Sequence, residues 1–526
     1  MRPPQPHTPH RARRAFSLAR RHPVAAALLV ALLTGAQMRP LAGCVSAEAT
    51  GDPLLNVTSQ DLVVTERIRA AETAWAEAQA GQRSRPVVRE RFKDVIWAED
   101  EPPRLRERLA RLLLADETTD GLADSRRLVI LRLPLEPDQR LAETLIRAAV
   151  DRGWTRATPA LVRRLAEVPY PGDQAARPEP PAIRALNADR PFDRVLFETL
   201  LDPYVIPGQR EDIRTLRCRR AALDVLGLID PAGEALPRMA LGASEITRGP
   251  DAVRIIRLLR RGHEELGVTP RTGRSFEWMA RVLSDARAAD TSWRRGVAAA
   301  IASLPEDRRT GLRLFHLEPI RWAADARPAW LTASRERLLE TVASRLEGRA
   351  FNRRTAEIGI DRSGLDERFG DHRDAMSWAD ALALLAVDEA LRSPSLMTRL
   401  FDLAELDRAD TSTEYGGLLW AGPALDPAGA RAQLFMPRTG DRISDTAFFA
   451  SEDMIRSGDR ALAHFHFQVA DRRNADFAGP SGPDLAFARR SGRAGVVFTS
   501  LRGDRLAVDY YQPTGVIVDL GEIERP

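Results

Sequence analysis

The chain has 526 residues, 44% of them hydrophobic and 29% charged, with two cysteines and a formal net charge of +4. Such a length exceeds what one core supports and predicts two or more domains of an ordinary folded protein. The seven arginines of residues 1–43, a stretch without acids, carry the whole positive excess and leave −3 for the rest; a near-neutral body offers no electrostatic basis for binding nucleic acid.

Behind the arginine-rich start, residues 23–38 form an apolar run. Its length suits a secretory signal peptide and falls short of a comfortable membrane span. Leu41-Ala42-Gly43-Cys44 resembles the bacterial lipobox. That resemblance implies a signal peptide over 1–43, a lipid on Cys44, and membrane attachment through that lipid. Ordinary cleavage after Val45-Ser46-Ala47 is the other course. Either one predicts export to the bacterial cell envelope, with a linker over 44–57. Cys218 sits in a helical pattern and has no disulfide partner once Cys44 is removed or acylated, so it reads as a small packing residue.

From 58 to 392 the chain is dominated by amphipathic segments, among them 63–80, 104–115, 139–150, 212–228, 252–266, 276–288 and 335–346. Apolar positions recur at three- and four-residue spacing, which predicts helices that must bury their stripes against each other. The stretch 219–231 resembles the second helix of a HEAT-type repeat, and 294–305 echoes it. The expected architecture is therefore an irregular α-helical array with HEAT-like packing, divided by the proline-rich break at 169–191. His263 and His316 stand alone here and read as packing or surface residues. Carboxylates alternate with arginines as on solvated helix faces.

The region 393–526 reads as a small α+β domain. Strands are expected at 417–421, 432–436, 447–450, 462–469, 494–500, 505–511 and 516–520, with helices near 452–456 and 484–490. Trp420, Tyr510 and Tyr511 read as core or rim residues. Within 461–468, Ala461, Ala463, Phe465 and Phe467 alternate with Leu462, His464, His466 and Gln468. Residues two apart on a strand are about 6.6 Å apart, a span from which two imidazoles can converge on one Zn²⁺ at about 2.0–2.1 Å. The same alternation also suits the wet face of a half-buried strand. Ser481-Gly482-Pro483-Asp484 equally suits a plain helix cap.

Thr413-Glu414-Tyr415-Gly416-Gly417-Leu418-Leu419, then His464-Phe465-His466, then Ser481-Gly482-Pro483-Asp484-Leu485 resemble, in that order, the JAMM (MPN, Mov34/JAB) metalloprotease signature. The resemblance covers the last quarter of the chain. It implies a JAMM-like α+β fold, zinc bound by His464, His466 and Asp484, Glu414 as general acid/base, and Ser481 as a donor to the oxyanion. Asp484 stands further from His466 than the family's spacing, and Phe467 replaces the proline that commonly follows the pair. An insertion over 468–480 can loop out at small entropic cost. Asp471 and Asp476 remain alternatives for the third ligand. The function so implied is an exported, lipid-anchored zinc hydrolase that cleaves a peptide or isopeptide bond in a protein substrate. The alternative is a non-catalytic envelope scaffold whose helical surface binds a partner.

Overall fold

A computed structural model of the chain describes residues 50–206, 211–246, 248–284, 288–352, 367–422, 429–442, 448–469, 478–501 and 504–526. The leader with its lipobox and Cys44, and the alternative ligands Asp471 and Asp476, lie outside these. Contacts divide the chain into one compact unit ending at Ala74 and another running from Trp75 to Pro526. In the first, helix Pro53–Thr58 is capped by Asp52, whose side chain accepts from Leu54 N at 2.9 Å. No helix of the described residues is long and apolar enough to cross a membrane.

Among its described residues the second unit is mostly helical and ends in a six-stranded sheet, as the two composition regimes predict. The expected helices form with ends shifted by a residue or two, except for 276–288. That helix is Gly273–Val282, because Thr272 and Ser275 make a reciprocal capping box ahead of the first periodic apolar residue. Cys218 is buried and unpaired in helix Glu211–Ile229. His316 is not isolated: its Nε2 lies 3.0 Å from Asp380 Oδ1, and its Nδ1 accepts from Arg313 N. Only long-range folding brings that pair together.

The strands are β1 (Gly416–Trp420), β2 (Arg431–Phe435), β3 (Ala463–Gln468), β4 (Gly495–Ser500), β5 (Arg505–Tyr511) and β6 (Ile517–Glu524), in the order β2-β1-β3-β4-β5-β6. All neighbours are antiparallel except β3 and β4, which are parallel. A parallel pair needs a crossover connection, and helix Gly482–Ser491 supplies it. Residues 448–450 form no strand; Phe448 instead packs on the sheet beside Leu418.

The sheet is covered on both faces. On one, Phe465, Phe467 and Phe498 pack together, Arg408 of helix Pro394–Ala409 donates to Ser500 Oγ, and Gln512 donates to the carbonyl of Asp380. Asp380 belongs to helix Trp378–Leu391, which is apolar and buried almost all round, as a helix inside a protein must be. On the other face, Leu485 and Ala488 of the crossover helix cover Tyr511 and Ile517, while Met454 of helix Glu452–Ser457 covers Leu418.

Candidate metal centre

β3 lies between β1 and β4, so its side chains are buried on both faces. His464 pairs with Leu418 and Gly495, and His466 with Gly416 and Val497. Strand alternation sends Phe465 and Phe467 to the face of Phe498 and both imidazoles to the opposite one. There the rings meet the crossover helix: His464 lies 5.7 Å from the Phe487 ring, and His466 Nε2 lies 3.6 Å from Asp484 Oδ2. Phe448 stacks on His466 with its ring centroid 6.0 Å away. Gly416 makes room for it, since a Cβ there would stand 2.6 Å from the Phe448 ring.

Asp484 is held by the cap that starts its helix. Ser481 N and Oγ donate to Asp484 Oδ2 at 2.7 and 2.6 Å, and Asp484 N donates back to Ser481 Oγ at 3.3 Å. The cap and the ligand motif are thus the same residues. Ser481 gives its hydroxyl proton to Asp484, so in this arrangement it orients the carboxylate.

The two histidines carry opposite charge preferences. Burial works against a charge on His466, but the carboxylates of Asp484, Glu414 and Asp407 outweigh it and lift the imidazole to about 9. Burial would raise Asp484, yet His466 and the Ser481 hydrogen bonds hold it down to about 2. The contact is therefore an ion pair in the metal-free protein, lost as pH rises through about 9 or falls through about 2. For His464, burial and then the Arg493 cation hold the imidazole well below its usual range, so it stays neutral.

Glu414 sits just before β1 and is buried; its charge reaches both His466 and Tyr511. Three neighbours carry no sequence motif. Asp407, on helix Pro394–Ala409, accepts from Tyr415 N, and burial lifts its carboxyl to about 7. Tyr511 faces Gly495 across the ladder, and a Cβ on that glycine would stand 2.4 Å from the phenol oxygen. The phenol thus lies over β4, where burial and then Asp484 and Glu414 keep it protonated. Arg493 is buried, donates to Ile455 O and Asp459 Oδ1 at 3.0 and 2.6 Å, and lies 3.9 Å from the Trp278 ring. Asp459 is also held by Arg281 at 2.7 and 2.8 Å, which ties helix Gly273–Val282 to this side of the sheet. Apart from the alternation that set Tyr511 in a strand, no local pattern marks these roles.

Among the described residues, no group of three His, Cys, Asp or Glu side chains is placed to hold a metal ion. The donor set nevertheless has the composition of a zinc site, with two imidazoles and one carboxylate. His466 and Asp484 already meet. His464 is neutral, the state that ligates, and both of its ring nitrogens are buried without a hydrogen-bond partner. Folded proteins seldom leave such atoms unsatisfied, so the ring suits a partner such as a metal ion.

Compared with known proteins, the chain matches no protein-family model, and no curated protein or solved structure shows significant similarity to it.

Proposed function

We propose that the protein is an exported, lipid-anchored zinc hydrolase of JAMM type that cleaves a peptide or isopeptide bond, with His464, His466 and Asp484 holding the metal. The observation that carries this reading is the buried, partnerless imidazole of His464, two residues along β3 from a histidine that meets Asp484. Bound there, zinc would polarise a substrate carbonyl and acidify the attacking water. Glu414, buried just before β1, would serve as the general base that accepts a proton from the nucleophile and returns it to the leaving nitrogen. Ser481 fixes Asp484, and its hydroxyl turns to the oxyanion only by giving up that bond. The protonated Tyr511 offers a second hydroxyl on the same face. The helices before the sheet, packed in HEAT-like fashion, would present the substrate, and a lipid on Cys44 would hold the protein in the envelope.

One observation favours a second reading, a metal-free scaffold. A Cβ on Gly458 would stand 3.1 Å from His464 Nε2 and 3.3 Å from Arg493 Nη1, so a cation already neighbours the ring that zinc would need.

Proton linkage separates the two. Zinc must displace the proton that His466 retains up to about pH 9. Calorimetric titration of metal-free protein is therefore expected to show affinity rising about tenfold per pH unit from neutrality to about pH 9, then levelling. Affinity independent of pH, or no zinc binding at all, sinks the hydrolase.

A further inference from the structure

A cleft of about 160 Å³ opens where helix Glu211–Ile229, the loop entering helix Gly273–Val282, the turn at Arg313 and the end of the crossover helix come together. Arg271, Arg313 and Arg489 all line it. Guanidinium groups nearby are tied to carboxylates, as in Arg281–Asp459 and Arg274–Glu452. None of these three makes an ion pair with a described residue. Arg271 directs Nη1 and Nη2 to the carbonyls of Asp230 and Ala232, which leaves its Nε buried without an acceptor. The acid whose charge Arg313 feels is Asp380, and its oxygens are engaged by His316 and Ser377. Arg489 is exposed at the mouth. The single acid in the wall, Asp224, turns to Gly273 N at 2.8 Å.

Burial holds Arg313 below its ordinary range, and burial together with the Arg313 charge holds Arg271 down to about 10. Asp230 and Glu234 act on Arg271 and Asp380 on Arg313 without offsetting these effects, and a bound anion would favour the charged guanidinium groups. The cleft is smaller than the roughly 300–1,000 Å³ of drug-sized sites. Guanidinium forks match tetrahedral oxyanions through paired hydrogen bonds.

We propose that this cleft binds a small tetrahedral oxyanion of the phosphate class, gripped by Arg313 and Arg489 with Arg271 behind them. The anion is either free phosphate or the phosphate group of a larger molecule. None of the lining residues is a proposed zinc ligand, so the site is tested on the metal-free full chain.

Calorimetric titration at low ionic strength, with inorganic phosphate and with glycerol phosphate, is expected to show one saturable site. Tighter binding of the ester would assign the group to a larger molecule, and tighter binding of inorganic phosphate would assign the free ion. Arg489→Gln, at an exposed position that leaves folding alone, is expected to weaken binding at least about tenfold, and Arg313→Gln likewise. Arg337→Gln, on helix Arg335–Leu346, should change nothing. Absence of saturation by either probe, or undiminished affinity in Arg489→Gln, overturns the proposal whether or not Arg313→Gln folds.

Discussion

Glu414→Gln is expected to leave zinc content intact and to slow hydrolysis by roughly 10²–10⁴-fold, the range that a positioned general base supplies. The amide keeps the shape of the side chain but cannot take a proton. On the rate scale this is about 2.7–5.5 kcal/mol of barrier, at about 1.36 kcal/mol per decade. Glu414 is suited to the role by position: it precedes β1, is buried, and its charge acts on both His466 and Tyr511. The variant should be assayed beside wild type on a peptide or isopeptide reporter that the wild type cleaves, with metal measured on the same samples. An unchanged rate would remove Glu414 from the chemistry. Asp407, whose carboxyl stands at about 7 beside His466, would then be the next base to test.

The second large effect is on stability and concerns the helices that precede the sheet in the chain. Glu136 is fully buried and is reached by two buried arginines: Arg106 at Oε1 and Arg132 at Oε2, the latter at 2.7 Å. Its backbone oxygen accepts from Arg164, which pairs in turn with buried Glu179 at 2.9 Å. Removing one acid from such a knot strands two cations away from water. Glu136→Ala is therefore expected to cost about 3–5 kcal/mol, as when one partner of a buried pair is lost. Glu340→Ala, which removes an exposed partner of Arg337, should cost no more than about 0–1 kcal/mol. Urea unfolding of both variants checks the contrast. Equal midpoints would mean that the buried cluster contributes nothing particular.

Much of the frame was legible because periodicity is local. Three- and four-residue spacing marks the helices, and two-residue alternation sets His464 and His466 on one side of β3 whatever their partners. Ser481 and Asp484 were legible twice over, as cap and as ligand motif, and the fold uses them as a cap. What the sequence hid depends on long-range pairing. His316 found Asp380, and Asp407 came to His466 from a separate helix. Tyr511 gained its place because Gly495, on the neighbouring strand, has no Cβ. Arg493 was invisible for the same reason: its acceptors and Trp278 lie on elements distant in sequence. Of the strand expected over 447–450, the described residues 448–450 form none, because an aromatic run reads alike whether it enters a ladder or lies across a sheet, as Phe448 does on His466.

His464, His466 and Asp484 are proposed to share one metal ion, and metal analysis of the purified protein decides whether they do. Wild type is predicted to hold about one zinc per chain, and His464→Ala almost none. The same zinc content in both, or none in either, would contradict it.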